Sequence, residues 1–156
     1  MRVPIHLRVA GSFVVVAALS LAIGGALVER RVADEIRGDI ALRVTQQAKL
    51  LGQELAEHPV ADGDGDTWAD RRGAAIGSRV TLIAEDGRVL GDSELSPEQV
   101  RAIENHGNRP EVVDARLHGT GQSARYSTTL HQEMLYVAVK QPRGFVRVAM
   151  PLDRVA

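Results

Sequence analysis

Asn105-His106-Gly107-Asn108-Arg109-Pro110 is the most distinctive polar cluster in the sequence, and Arg125-Tyr126 follows it. Two guanidinium forks suit a carboxylate or phosphate, and an imidazole and a phenol hydroxyl would add hydrogen bonds. On this reading His106, Arg109, Arg125 and Tyr126 form a donor set for a small anionic ligand. A structural role competes with it. Asn105 and His106 would satisfy backbone groups at a turn, and Arg109 would bridge to Glu104 or Glu111.

Other chemistry is sparse. Asp62, Asp64 and Asp66 alternate as in the first half of a calcium loop. Thr67 stands where that loop needs glycine, and Gly73 where it needs glutamate, so the stretch reads as an acidic loop and no metal is expected. Ser93, Ser123 and Ser127 lack a nucleophile-elbow context, and His6, His58, His106, His118 and His131 lack metal-ligand spacing. There are no cysteines, which excludes disulfides and thiol chemistry. No catalytic residue and no cofactor are expected. A formal net charge of -1 gives no reason for a nucleic-acid partner. Phe13, Trp68, Tyr126, Tyr136 and Phe145 are too few for stacking platforms.

The elements that position these residues begin at a membrane. Val9 to Val28 carries no charge, and as a helix it matches the hydrocarbon thickness of a bilayer. Residues 1–8 then form a cytoplasmic tail, 9–28 a transmembrane helix, and 29–156 an extracytoplasmic domain at the cell (inner) membrane. A signal peptide cleaved near Gly24-Gly25-Ala26 is the alternative, and it also exports the chain beyond Val28. The helical pattern continues from Glu29 to His58. Its apolar stripe is Ala33, Ile36, Ile40, Val44, Ala48, Leu51 and Leu55, with a mean step of about 3.67 residues. That stripe covers its own domain's core, packs against a second copy, or does both. Ile36, Ile40 and Val44 are the candidate contacts of a parallel homodimer.

Pro59 ends the helix. Asp66 or Thr67 can cap a short helix from Trp68 to Ile76. Arg79 to Ala84 and Val89 to Asp92 are strands joined by the Asp86-Gly87 turn. Ser96-Pro97-Glu98 opens a helix to about Ile103, and Pro110-Glu111 opens one to Leu117. Gly119-Thr120-Gly121 breaks the chain before strands Ser123 to Leu130, Met134 to Gln141 and Phe145 to Met150. The order predicts an α+β fold, with a sheet domain over 67–151 built on five antiparallel strands and helices gathered on one side.

Arg79-Val-Thr-Leu-Ile-Ala-Glu-Asp-Gly-Arg-Val-Leu-Gly-Asp-Ser resembles the first hairpin of the extracytoplasmic sensor domains of PhoR-type sensor histidine kinases. Glu104-Asn-His-Gly-Asn-Arg-Pro-Glu-Val is similar to that family's helix-turn segment, and Arg125-Tyr-Ser-Thr-Thr-Leu with Leu135-Tyr-Val-Ala-Val to its closing strands. The resemblance covers about Val9 to Val155. It implies a PAS- or Cache-like sensor module that detects a signal outside the cell and passes it inward in a two-component system. The family continues into a second span and a kinase core, and no phosphoacceptor or nucleotide-binding segment lies within these 156 residues. The chain is therefore expected to be an input module, not itself an enzyme, belonging to a protein-histidine kinase. A membrane-anchored or secreted ligand-binding module, or the input domain of a chemoreceptor or nucleotide cyclase, is the alternative.

Overall fold

In the computed structural model, residues 5–127 and 131–152 are described. The expected tail residues 1–4 and the end of the strand predicted to reach Leu130 lie outside them, as does the side chain of Ala33. The chain divides into two compact units, Met1–Gly38 and Asp39–Ala156.

Helix α1 (Ile5–Glu57) begins in the first unit and ends in the second. Among the described residues it is the helix long and apolar enough to cross a membrane. In the first unit Phe13, Val16, Leu19, Leu21, Ile23 and Leu27 are all exposed. A helix that is apolar on every side and uncovered by protein suits hydrocarbon.

The second unit follows as α2 (Gly65–Ile76), β1 (Arg79–Ala84), β2 (Val89–Asp92), α3 (Pro97–Ala102), α4 (Pro110–His118), β3 (Thr120–Ser127), β4 (Gln132–Gln141) and β5 (Gly144–Pro151). The five strands form one antiparallel sheet in the order β2-β1-β5-β4-β3. This is the expected α+β architecture, a long N-terminal helix followed by a five-stranded antiparallel sheet.

Three local expectations need correction. Helix α2 starts at Gly65 rather than Trp68, with Asp64 at the N-cap position and no side-chain cap bond. Asp66 is not a cap: its carboxylate accepts the Asp92 backbone N–H at 3.2 Å and so ties α2 to β2. Strand β3 starts at Thr120, because Gly119 (φ +82°) already ends α4 by donating to Ala115 O and leaves the next residues free to pair.

Register assigns the two faces of the sheet. Val80, Val148 and Val137 pair across three strands, as do Leu82, Val146 and Val139. The end of α1 covers this face. Gly52 seats it so closely that a Cβ there would lie 3.0 Å from Val139 Cγ1. Ile40, Val44, Ala48, Leu51 and Leu55 are buried within this unit, so most of the apolar stripe is spent on the chain's own domain. Ile36 is half-buried.

On the opposite face Ile83, Phe145 and Ala138 pack against Val112 and Ala115 of α4. Helix α4 reaches β3 only because residue 121 is glycine. A Cβ there would overlap the Glu111 carbonyl oxygen and stand 2.6 Å from Ala115 N. That approach sets the Glu111 carboxylate over the sheet.

Candidate functional site

The sheet face under α4 carries charge where an apolar core is the usual filling. Register aligns Arg79, Ala149, Tyr136 and Ser123 in one row, and Asp92, Thr81, Arg147 and Ala138 in the next. Arg79 Nε donates to both Asp92 oxygens at 2.9 and 3.1 Å. Thr81 Oγ1 donates to Asp92 Oδ2 at 2.7 Å and accepts from Arg147 Nη2 at 3.1 Å. Arg147 Nη1 donates to Glu111 Oε1 at 3.3 Å. Arg125 grips the same carboxylate with both terminal nitrogens, at 2.6 and 3.0 Å, and Ser123 Oγ donates to it at 2.6 Å. Arg125 also lies over the Tyr136 ring, 3.9 Å from its centre, and Arg147 stands 5.1 Å from the same ring.

Asp92 and Glu111 have no solvent exposure, and Arg79 and Arg147 are buried. Burial alone would raise the Glu111 pKa. Hydrogen bonds from Arg125 and Ser123, with the Arg147 charge, outweigh that and hold it at about 2. Its place in the first turn of α4 adds the favourable end of the helix dipole. Burial pulls Arg147 down to about 10, with Arg79 and Arg125 acting the same way against Glu111 and Asp92, so it stays charged at neutral pH. Three guanidiniums thus touch two carboxylates. The buried Arg147 Nε–H has no hydrogen-bond acceptor.

One of the four sequence-predicted residues, Arg125, joins this cluster by contact, as its bidentate clamp. His106 is buried and senses Arg147, Arg109 and Asp92. Burial, then the Arg147 and Arg109 charges, lower its pKa to about 4, and the neutral ring donates from Nδ1 to Glu104 O at 3.0 Å. Arg109 instead pairs with Glu104. Tyr126 lies one residue out of phase with Arg125 on β3, which turns it to the other face, where it is exposed.

The turn role is also present. Asn105 Nδ2 donates to Asp86 O at 2.8 Å and His106 N to Gly87 O at 2.8 Å, which clamps the β1–β2 turn that Gly87 makes at φ +88°.

Sequence reasoning missed Glu111, Arg147, Asp92, Arg79, Thr81, Ser123 and Tyr136. One signal was available: a lone arginine at the centre of Phe145-Val-Arg-Val-Ala-Met, a strand otherwise apolar on both faces. The aspartates of the Asp62-Asp64-Asp66 run diverge. Asp62 pairs with Arg143 and Asp66 with the Asp92 backbone, and no metal-holding group of acids or histidines occurs among the described residues.

Next to Arg79, a cavity of about 520 Å³ is also lined by Asp70, Ser78, Ser93, Glu94, Met134 and Ala149. Its size is that of a small-molecule site.

No protein-family model matches the chain, and no curated protein matches it in sequence. Solved structures do match in fold. The sensor domain of the V. cholerae histidine kinase DctB superposes with a TM-score of 0.62 at 16% identity, over 83% of this chain and 57% of that one. The ligand-binding domain of the Campylobacter jejuni chemoreceptor Tlp3 with 4-methylisoleucine gives 0.59 at 16% identity, over 78% and 55%. The isoleucine-bound Tlp3 sensory domain gives 0.59 at 17% identity, over 78% and 56%. The chain therefore spans less than two thirds of the length of these neighbours. Its long helix and five-stranded antiparallel sheet share the fold of these sensor and ligand-binding domains.

Proposed function

We propose that this chain is the input module of a membrane-bound, PhoR-type two-component sensor histidine kinase. On this reading 1–8 is cytoplasmic, 9–28 spans the bilayer, and 29–156 detects an extracytoplasmic signal. The parent protein is a protein-histidine kinase whose catalytic core lies outside these residues. The fold of the neighbours and the uncovered apolar helix support the topology.

The ligand is a small anion. The observation that carries this is the surplus guanidinium of the Arg79–Arg125–Arg147 cluster, together with the acceptor-free Arg147 Nε–H. Arg125 and His106 belong to the binding machinery, Arg109 tunes it through charge, and Tyr126, exposed on the other face of the sheet, stands outside it. The test is thermal unfolding of the chain in nanodiscs with phosphate, acetate and succinate. A stabilisation by one of them that Arg125→Lys weakens supports the reading. Stabilisation by none, or equal stabilisation of the variant, counts against it.

A second reading has its own observation. The cavity beside Arg79 offers Asp70 and Glu94 for an ammonium group, Arg79 for a carboxylate, and Met134 and Ala149 for a side chain. That set suits an amino acid, and a chemoreceptor output fits as well as a kinase. Isoleucine is therefore a ligand to include in the same titration.

Signal transfer is proposed to run through α1 in a parallel homodimer. Ile36, Ile40 and Val44 were the expected contacts. With Ile40 and Val44 buried, the exposed Leu42 and Leu50 are apolar side chains of α1 open to a partner.

A further inference from the structure

We propose a second ligand site, on the sheet face opposite the buried charge cluster, that takes a small carboxylate carrying an aliphatic chain. A cavity of about 580 Å³ lies where the end of α1, the loop after it, the β1–β2 hairpin and α3 converge. Its volume falls in the range of small-molecule sites. The floor is apolar: Leu55, Leu82 and Val100 each turn a buried side chain toward it. Such a floor leaves the hydration of a compact polyanion such as phosphate unreplaced and favours a ligand with an apolar body. Pro59 and Pro97 fix the backbone of two walls, which preforms the site.

The rim selects charge. Arg88, Arg101 and Arg143 all line the opening. Each is more than half exposed and rests on an exposed carboxylate: Arg88 on Asp86 at 2.8 Å, Arg101 on Glu98 at 3.1 Å, and Arg143 on Asp62 at 3.2 Å. Exposed pairs of this kind contribute little stability, so a guanidinium can leave its partner for an incoming carboxylate that it holds bidentately. An apolar floor beneath a rim of three exposed, paired guanidiniums fits a head-and-tail anion such as a short-chain fatty acid that displaces one of their partners. None of these residues belongs to the Arg79–Glu111 cluster, so the site stands independently of the function proposed above.

Hexanoate, hexan-1-ol and hexylammonium, titrated calorimetrically into the full chain in nanodiscs with empty nanodiscs as the reference, test it. Hexanoate is expected to bind at least tenfold more tightly than hexylammonium. Arg101→Gln with Arg143→Gln should weaken hexanoate at least tenfold and leave hexan-1-ol unchanged. Ala84→Trp, which fills the cavity, should abolish both, and Leu90→Trp at a more exposed lining position does the same if Ala84→Trp does not fold. Ala74→Trp, which fills the cavity beside Arg79, should change nothing. The proposal is overturned if hexanoate does not bind, if hexylammonium binds as well, if folded cavity-filling variants retain binding, or if Ala74→Trp removes it.

Discussion

Arg147 and Glu111 meet between the sheet and α4 with Nη1 and Oε1 3.3 Å apart, both side chains buried, one from the middle of a central strand and one from the first turn of α4. Each has a second support, Thr81 for the arginine and Arg125 with Ser123 for the carboxylate. Removing one member leaves the other charged and out of water. Glu111→Ala should lower stability by about 3–5 kcal/mol. Glu111→Met combined with Arg147→Met should lose less, because the charge then left without its partner is Arg125, which reaches solvent, and not the fully buried Arg147. Denaturant melts of the three proteins check this, and equal losses for the single and double variants would contradict it.

Acid should weaken the fold in two steps. The folded His106 pKa of about 4 lies below its ordinary 6.5, so between those values the unfolded chain takes a proton that the folded chain refuses. Stability is complete above pH 6.5 and falls toward pH 4, by up to about 3 kcal/mol. Glu111, held at about 2 against an ordinary 4.5, extends the decline from pH 4.5 toward 2. Melting temperature followed against pH should lose the upper step in His106→Asn and keep the lower one.

The seating of α4 makes Gly121 a sensitive position. Gly121→Ala places a Cβ against the Glu111 carbonyl and Ala115 N, both backbone atoms with no side-chain freedom to yield. We expect a loss of about 1–3 kcal/mol, the cost of overpacking a close contact, together with a weaker Glu111–Arg125 clamp. A melting temperature equal to that of the wild type would show that α4 shifts freely on the sheet.

The apolar and turn patterns were legible in the sequence because they are local. The Asp86-Gly87 turn, the Ser96-Pro97-Glu98 helix start and the alternating strands all announce themselves within a few residues. The stripe from Ile40 to Leu55 was legible as a buried face, but not which surface it would meet. That depends on Val139 and Val146, some ninety residues away. The site was half legible for the same reason. Arg125 and His106 attract attention by type, whereas Glu111 looks like an ordinary first-turn acid until register brings Arg147 beneath it. Tyr126 adjoins Arg125 in sequence, yet a strand sends neighbours to opposite faces.

The central claim is that an anion on the buried cluster is felt by α1. The measurement that tests it most directly is the rate of disulfide crosslinking of Leu42→Cys in nanodiscs, with and without phosphate, succinate or isoleucine, beside Val44→Cys as the covered control. The account predicts that Leu42→Cys crosslinks and Val44→Cys does not. It also predicts that the ligand which raises the melting temperature changes the Leu42→Cys rate, and that Arg125→Lys blunts that change. Crosslinking through Val44→Cys, or a Leu42→Cys rate indifferent to a ligand that demonstrably binds, would contradict it.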